Sequence, residues 1–211
     1  MRLRELIQIN EAEPPEDAPS DALVLKRRCI ALLQKIESVL DPQDQPAAVK
    51  VGIIVDPLKR GSPASALIKR NAILVSPLFQ DAPDEVIIWM IGHELTHILR
   101  QHTNVGDDNK IKPPAQIRQQ ELDADDLANT IMKRLNINKA AVWTWTERER
   151  GGIERRLRWD ATPAGQEWNQ NSTHPSINDR IRNAQQHGVE LSQAEMQDKL
   201  AQLDQLKQTL A

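Results

Sequence analysis

The sequence has a single cysteine, no long apolar run and no excess of positive charge. Cys29 cannot form an intrachain disulfide, and its apolar, helix-like surroundings favour a small buried hydrophobic residue. The longest apolar run, at residues 86–91, is far shorter than the roughly 20 residues of a membrane span. The 27 Lys and Arg against 30 Asp and Glu leave a net charge of −3, which gives no basic surface for nucleic acid. The first ten residues contain no recognisable secretory signal, so we expect a soluble, cytoplasmic protein.

The length of 211 residues suits one main domain with short appendages. Residues 10–20 are acidic and hold three prolines, which is typical of a flexible linker behind a short N-terminal tag. We therefore expect a tag and linker at 1–20, a domain at 21–188 and a C-terminal amphipathic helix within 189–211. The apolar stripe of that helix, over residues 192–210, would pack on the domain or mediate contact with a partner or a second copy.

Apolar periodicity and turn residues predict the elements of the domain. Helices are expected over residues 21–40, 84–101 and 115–135, and another after the His174-Pro175 pair. Strands are expected over residues 48–55 and 71–76, with a short strand within 64–69. The loop from Thr103 to Pro114 should separate the second and third helices.

One segment carries the pattern H-E-x-x-H inside a predicted helix; it reads His93-Glu94-Leu95-Thr96-His97. Residues four apart share a helical face, so both imidazoles can reach one zinc ion. Glu94 points slightly further around the helix, where it could take a proton from a zinc-bound water. The alternative is a helix with two surface histidines. The apolar residues around the motif oppose it, because buried histidines without partners are costly.

A catalytic zinc site requires a third protein ligand. The metzincin pattern does not fit, because Arg100 stands where that pattern has glycine and His102 is one position too early for its third histidine. His102 is better interpreted as a histidine favoured by the dipole at a helix C-terminus. Glu121 and Asp125 share a face of the next helix, so one could bind zinc while the other accepts the spare N–H of a ligand histidine. An acidic, solvated start to that helix is the alternative.

Three segments together resemble the HtpX and CAAX prenyl protease family of gluzincin metallopeptidases. They are residues 92–102, the Glu121-x-x-Ala124-Asp125 motif and the His174-Pro175 pair, in the family's order over roughly residues 50–183. The resemblance implies an α+β, mostly helical zincin-like domain with a small β-sheet over the active-site helix. The sequence lacks the transmembrane helices of membrane-embedded relatives. The Asn-Ala-aromatic segment that the family often has upstream of the motif cannot be recognised here.

The resemblance also implies a role for each site residue. Glu121 would be the third zinc ligand beside His93 and His97, and Asp125 its neighbour outside the ligand shell. His174 would stabilise the oxyanion of the tetrahedral intermediate, although an ordinary loop histidine is the alternative. Arg180 would brace the site or form a plain structural salt bridge.

The sequence therefore predicts a zinc metallopeptidase, an endopeptidase with Glu94 as general base and a peptide or protein as substrate. We expect an extended peptide to pair with an exposed strand near residues 71–76. Two other functions stay open: a non-catalytic zinc-containing structural or interaction module, and a zinc amidase acting on a non-protein substrate. An intact Glu94 opposes the first of these.

Overall fold

The computed structural model describes residues 20–44, 50–58, 64–106, 109–137 and 158–187. These residues form an α+β domain of helices around a small sheet, which confirms the predicted fold class. The elements in chain order are α1 (Ser20–Glu37), β1 (Gly52–Val55), β2 (Ala64–Leu67), β3 (Ala72–Val75), α2 (Asp84–Leu99), α3 (Pro114–Arg134), α4 (Pro163–Asn171) and α5 (Ile177–Gln186). Apart from Ser20, the expected tag and linker at 1–20 and the helix at 189–211 lie outside the described residues.

The described strands form one sheet in the order β1–β3–β2. β3 pairs in parallel with β1, with Ile53 opposite Ile73, and antiparallel with β2, with Ala66 opposite Ile73. The expectation that a peptide substrate pairs with the strand near residues 71–76 is therefore wrong. Both edges of β3 already carry backbone hydrogen bonds to neighbouring strands. Its apolar composition reflects a central, buried position rather than an exposed edge.

Helix α2 is the most deeply buried helix of the described chain. Its sequence is apolar on most sides, and it contacts α1, α3, β2 and β3. Asp84 and Glu85 in its first turn favour the helix N-terminus through the dipole. Arg28 of α1 fixes that terminus by donating hydrogen bonds to the carboxylate of Asp84 and the carbonyl oxygens of Gln80 and Ala82. The helix that carries the H-E-x-x-H motif is thus held from several directions.

Helices α2 and α3 pack closely because small residues face each other. Gly92 has no side chain, and a Cβ built there would lie 3.4 Å from Cα of Ala128 and 3.1 Å from Cδ1 of Ile131. Ala124 and Ala128 are completely buried. A larger side chain at this seam would have to displace one helix, so these residues fix the distance between α2 and α3.

Helices α2 and α3 end in the same reversal, a Schellman motif. At the end of α3, Asn136 has a left-handed φ of 52°, and the amide of Ile137 donates to the carbonyl of Met132 over 3.0 Å. At the end of α2, Gln101 has a φ of 52°, and the amide of His102 donates to the carbonyl of His97 over 2.9 Å. The second reversal is unexpected from sequence, because glycine or asparagine normally occupies that position.

A larger side chain at the helix seam should destabilise the fold. We expect Ala128→Leu to lower the free energy of unfolding by about 1–3 kcal/mol, because overpacking a close contact forces side chains or backbone to move. Urea unfolding measures the change. Ala115→Leu, at an exposed position of the same helix, is the control and should leave stability nearly unchanged. Equal stability of the two variants would contradict a close α2–α3 seam.

Cys29 should be unreactive in the folded protein. The residue is completely buried, and burial raises the pKa of its thiol to about 11, so little of the nucleophilic thiolate forms. We expect slow labelling by a thiol reagent at mildly alkaline pH and rapid labelling in denaturant. Equal labelling rates in the two conditions would show that α1 does not pack as described.

Candidate metal centre

The structure brings His93 and His97 of α2 together with Glu121 of α3. The Nε2 atoms of the two histidines are 3.2 Å apart, and Nε2 of His97 lies 3.4 Å from Oε1 of Glu121. Nε2 of His93 lies 3.7 Å from Oε2 of Glu121. The three side chains are only 10, 12 and 13 % exposed, respectively. This cluster of ligand atoms could hold a metal ion.

The spacing of these atoms fits a four-coordinate ion. A tetrahedral ion with bonds of about 2.0–2.1 Å has ligand atoms about 3.3–3.4 Å apart, and the observed separations of 3.2, 3.4 and 3.7 Å lie around that value. The cluster comes from both helices at the close seam: His93 follows Gly92 directly, and Glu121 lies one turn before Ala124 and two turns before Ala128. Side chains from two rigid helices therefore converge on one point.

The hydrogen bond between His93 and Asp125 determines which nitrogen of His93 offers a lone pair to the cluster. Nδ1 of His93 lies 2.9 Å from Oδ1 of Asp125, and Asp125 is buried. A carboxylate can only accept, so Nδ1 carries the proton and Nε2 presents a lone pair to the cluster. Asp125 therefore contacts His93 of the candidate cluster, which is the kind of contact that the sequence led us to expect for one of the two acidic residues.

The electrostatics of the cluster also suit a cation. Burial lowers the pKa of His97 to about 4, and the charge of His93 lowers it as well, so its ring is neutral near physiological pH. Burial raises the pKa of Glu121, but the hydrogen bond from His174 and the charges of His93 and His97 lower it to about 2. When the ring of His93 is neutral as well, two imidazole nitrogens and an ionised carboxylate oxygen face one another with no proton among them. Such a set is favourable only with a positive charge at its centre.

The pKa of His93 shifts in the opposite direction from that of His97. Burial lowers the pKa of His93, but the hydrogen bond and charge of Asp125 and the charge of Glu94 raise it by more, so the net shift is upward. Glu94 itself is partly buried on α2. Its carboxylate is thus near enough to His93 to act on it electrostatically.

His174 and Arg180 lie at one side of the cluster. Nδ1 of His174 is 3.1 Å from Oε2 of Glu121, and 65 % of its side chain is exposed. Arg180 of α5 donates to both carboxylates, over 3.1 Å to Oδ1 of Asp125 and 3.4 Å to Oε2 of Glu121. The structure therefore gathers every site residue that the sequence proposed around the two motif histidines, with Glu94 adjoining His93.

The loop that carries His174 is held by an arginine of α3. Nη1 of Arg118 donates to the carbonyl oxygens of Asn169, Gln170 and Ser172 at the end of α4. Arg118 lies one turn before Glu121, so one helix supplies both the carboxylate and the anchor for the loop that touches it.

Two contacts at the cluster were missed by sequence reasoning. The ring of Trp89 stacks on His93 with centroids 5.5 Å apart, and its Nε1 donates to Asn129 of α3 over 3.2 Å. The spacing of four residues between Trp89 and His93 could have indicated this contact. Nδ1 of His102 lies 3.1 Å from Nδ1 of His97. Helical spacing does not predict this contact, because the chain reverses between the two residues.

An α+β domain with two imidazoles and a carboxylate converging between two buried helices defines a candidate metal-dependent hydrolase. The chain belongs to the peptidase U49 family, whose sequence model matches residues 63–201 and so covers α2, α3 and the cluster. It is therefore a member of a family of peptidases, the class of hydrolases that act on proteins or peptides. No curated protein and no solved structure matches the chain. Within the described residues, no helix combines the length and apolar character of a membrane span.

Removing Glu121 should empty the cluster of metal. Removal of a partner outside the ligand shell lowers metal affinity about 10–100-fold. We expect Glu121→Ala to lower the affinity by at least that much. Metal analysis of the purified protein measures the stoichiometry. Asp126→Ala is the matched control, because Asp126 lies on the same helix but pairs with His187 over 2.9 Å. Full metal content in Glu121→Ala would remove Glu121 from the ligand set.

Proposed function

We propose that this peptidase is a zinc-dependent endopeptidase with His93, His97 and Glu121 as its protein ligands. The observation that carries the proposal is the convergence of their ligand atoms at separations of 3.2–3.7 Å within a buried seam. Two neutral imidazoles and one carboxylate suit zinc better than magnesium or calcium, which prefer sets of oxygen ligands. Three protein ligands also leave the fourth position that catalytic zinc sites need.

In a site of this kind, zinc supplies a Lewis acid that polarises the scissile carbonyl and lowers the pKa of water to about 7. The remaining chemistry belongs to the side chains of the chain. Glu94 follows the first ligand in sequence and acts on it electrostatically. It would accept the proton of the attacking water and deliver that proton to the leaving amine.

His174 and Arg180 would have different roles. The exposed ring of His174 donates to Glu121 through Nδ1. In its doubly protonated form the ring would also donate from Nε2, and that hydrogen bond could stabilise the oxyanion of the substrate. Arg180 touches two carboxylates rather than an open position. We assign it a positioning role, in which its charge offsets part of the negative charge of Asp125 and Glu121.

The order of these residues along the chain supports kinship with the gluzincins, and with the HtpX and CAAX prenyl protease family in particular. Both histidines lie on one helix, and the glutamate lies on the next helix, followed by the aspartate that meets a ligand ring. The His174-Pro175 pair then precedes the helix that supplies Arg180. We propose this kinship alongside membership in the peptidase U49 family, and a domain extending over residues 21–188.

Two other functions compete with peptide hydrolysis. A non-catalytic zinc module has no use for a glutamate beside the first ligand, and a family of peptidases favours turnover over scaffolding. A zinc amidase with a non-protein substrate would use the same side chains. A panel of unstructured proteins, peptides and small amides separates these functions by what is cleaved.

The test is peptide cleavage by the wild-type protein and by Glu94→Gln. We expect the wild type to contain zinc and to cleave an unstructured protein such as casein. Glu94→Gln should keep its zinc but lose at least about 100-fold in kcat, the lower range for a general base. Chelation should abolish wild-type cleavage, and added zinc should restore it. A Glu94→Gln variant that keeps both its zinc and full activity would exclude Glu94 as the base.

A further inference from the structure

We propose that His102 is a positioning residue for the ligand His97, and that its imidazole fixes the ring of His97 through a hydrogen bond between their Nδ1 atoms. The inference rests on the proposed metal site, since it concerns how one ligand of that site is held. It gives His102 a role beyond its favourable place at a helix C-terminus.

The distance and burial of the pair carry the first step. Nδ1 of His102 is 3.1 Å from Nδ1 of His97, the ring centroids are 5.1 Å apart, and the rings meet at 72°. Only 9 % of the His102 side chain is exposed. The contact is therefore a hydrogen bond shielded from bulk water rather than a chance approach of two surface side chains.

The tautomers follow from the partners. Nε2 of His97 faces His93 and Glu121, so it is the ligand atom and Nδ1 carries the proton. Nδ1 of His97 must then donate, and Nδ1 of His102 must accept. Nε2 of His102 consequently carries its own proton, and it lies 3.2 Å from Oδ2 of Asp123, which can accept it. Each ring nitrogen of His97 and His102 therefore has a single role, as donor, acceptor or metal ligand, that is compatible with its partner.

The series of hydrogen bonds continues beyond Asp123 to the cationic side chain of Arg100. Nη1 of Arg100 forms a hydrogen bond to Oδ1 of Asp123, and Nη2 of Arg100 lies 3.8 Å from Oδ1 of Asp44. Asp123 is therefore held by an arginine on one side while it accepts from His102 on the other. The hydrogen-bond chain runs from Asp123 through His102 to the ligand His97.

The backbone delivers His102 to this place. In a Schellman motif the residue after the left-handed position comes back over the last turn of its helix, and its side chain often contacts the side chain five positions earlier. At the end of α3, that pair is Ile137 with Met132. At the end of α2, it is His102 with His97. A position that commonly makes an apolar contact here makes a polar contact to a metal ligand.

The two ligand histidines are then supported differently. His93 donates directly to the carboxylate of Asp125, whereas His97 donates to a neutral ring that in turn donates to Asp123. The second arrangement holds the ring of His97, while the ring of His102 separates it from the carboxylate of Asp123. That carboxylate is therefore kept away from those of Glu121, Asp125 and Glu94. This arrangement thus orients His97 without adding negative charge directly against the ligand shell.

The experiment measures zinc affinity by competition with a chromophoric chelator. We expect His102→Ala to raise the dissociation constant for zinc about 10–100-fold, the usual effect of losing such a partner. His102→Gln should recover most of the affinity, because its amide offers one acceptor and one donor, as neutral histidine does. Asp123→Ala should give a smaller increase, since it removes the second link and leaves the first.

The control is His187→Ala. It removes another histidine–aspartate pair, that of His187, directly after α5, with Asp126 of α3, and should leave zinc affinity unchanged. The unfolding temperature of each metal-free variant separates positioning from general stability, because a purely structural role would change that temperature without the rescue of affinity by glutamine. If His102→Ala does not fold, the comparison of His102→Gln with Asp123→Ala decides the question.

The outcomes also separate this inference from the proposed function. Wild-type affinity in both His102→Ala and Asp123→Ala would overturn the positioning role and leave the zinc site intact. A His102→Gln variant as weak as His102→Ala would also overturn it. A wild-type protein that binds zinc but cleaves no peptide would refute the peptidase proposal alone. A wild-type protein that binds no zinc would refute both.

Discussion

The close contact between α2 and α3 is the constraint on which the candidate site depends. Gly92 leaves room for the backbone of Ala128, and the motif histidines begin at the next residue. Glu121 lies on the facing helix, so the separation of the two helices sets the separation of the ligand atoms. Because protein interiors are close-packed and resist compression, this seam holds the donors at distances of 3.2–3.7 Å without help from a loop.

The second constraint is charge. Asp125 and Glu121 stand against the histidines, Glu94 acts on His93, and Arg180 bridges two of these carboxylates. Buried carboxylates are costly unless they are paired. Arg180 and a bound cation together would offset this charge, which gives the same residues a structural and a functional reason to lie together. α5 therefore contributes to the site through its arginine, although it carries no ligand.

The sequence predicted the motif helix, the facing helix and the apolar strands because each depends on local periodicity. It also predicted that Glu121 and Asp125 share a helical face, since they are four residues apart. Their grouping with the histidines was expected from the third ligand that a catalytic zinc site requires and from the resemblance to a metallopeptidase family. It was wrong about the strand near residues 71–76, because an apolar run does not distinguish a central strand from an edge strand. It gave no indication of the contact between His102 and His97, because Gln101 takes a left-handed conformation that glycine or asparagine usually adopts.

The sequence by itself therefore determined which residues carry donor atoms and on which face of each helix they lie, because those properties follow from residue type and the 3.6-residue period. Only the tertiary structure decided which helices meet, how closely they approach and which nitrogen of each histidine faces the shared point. Those properties depend on contacts between residues far apart in the chain, such as Gly92 with Ala128 and Arg180 with Asp125. A local pattern cannot encode such contacts, because they arise only when separate elements pack.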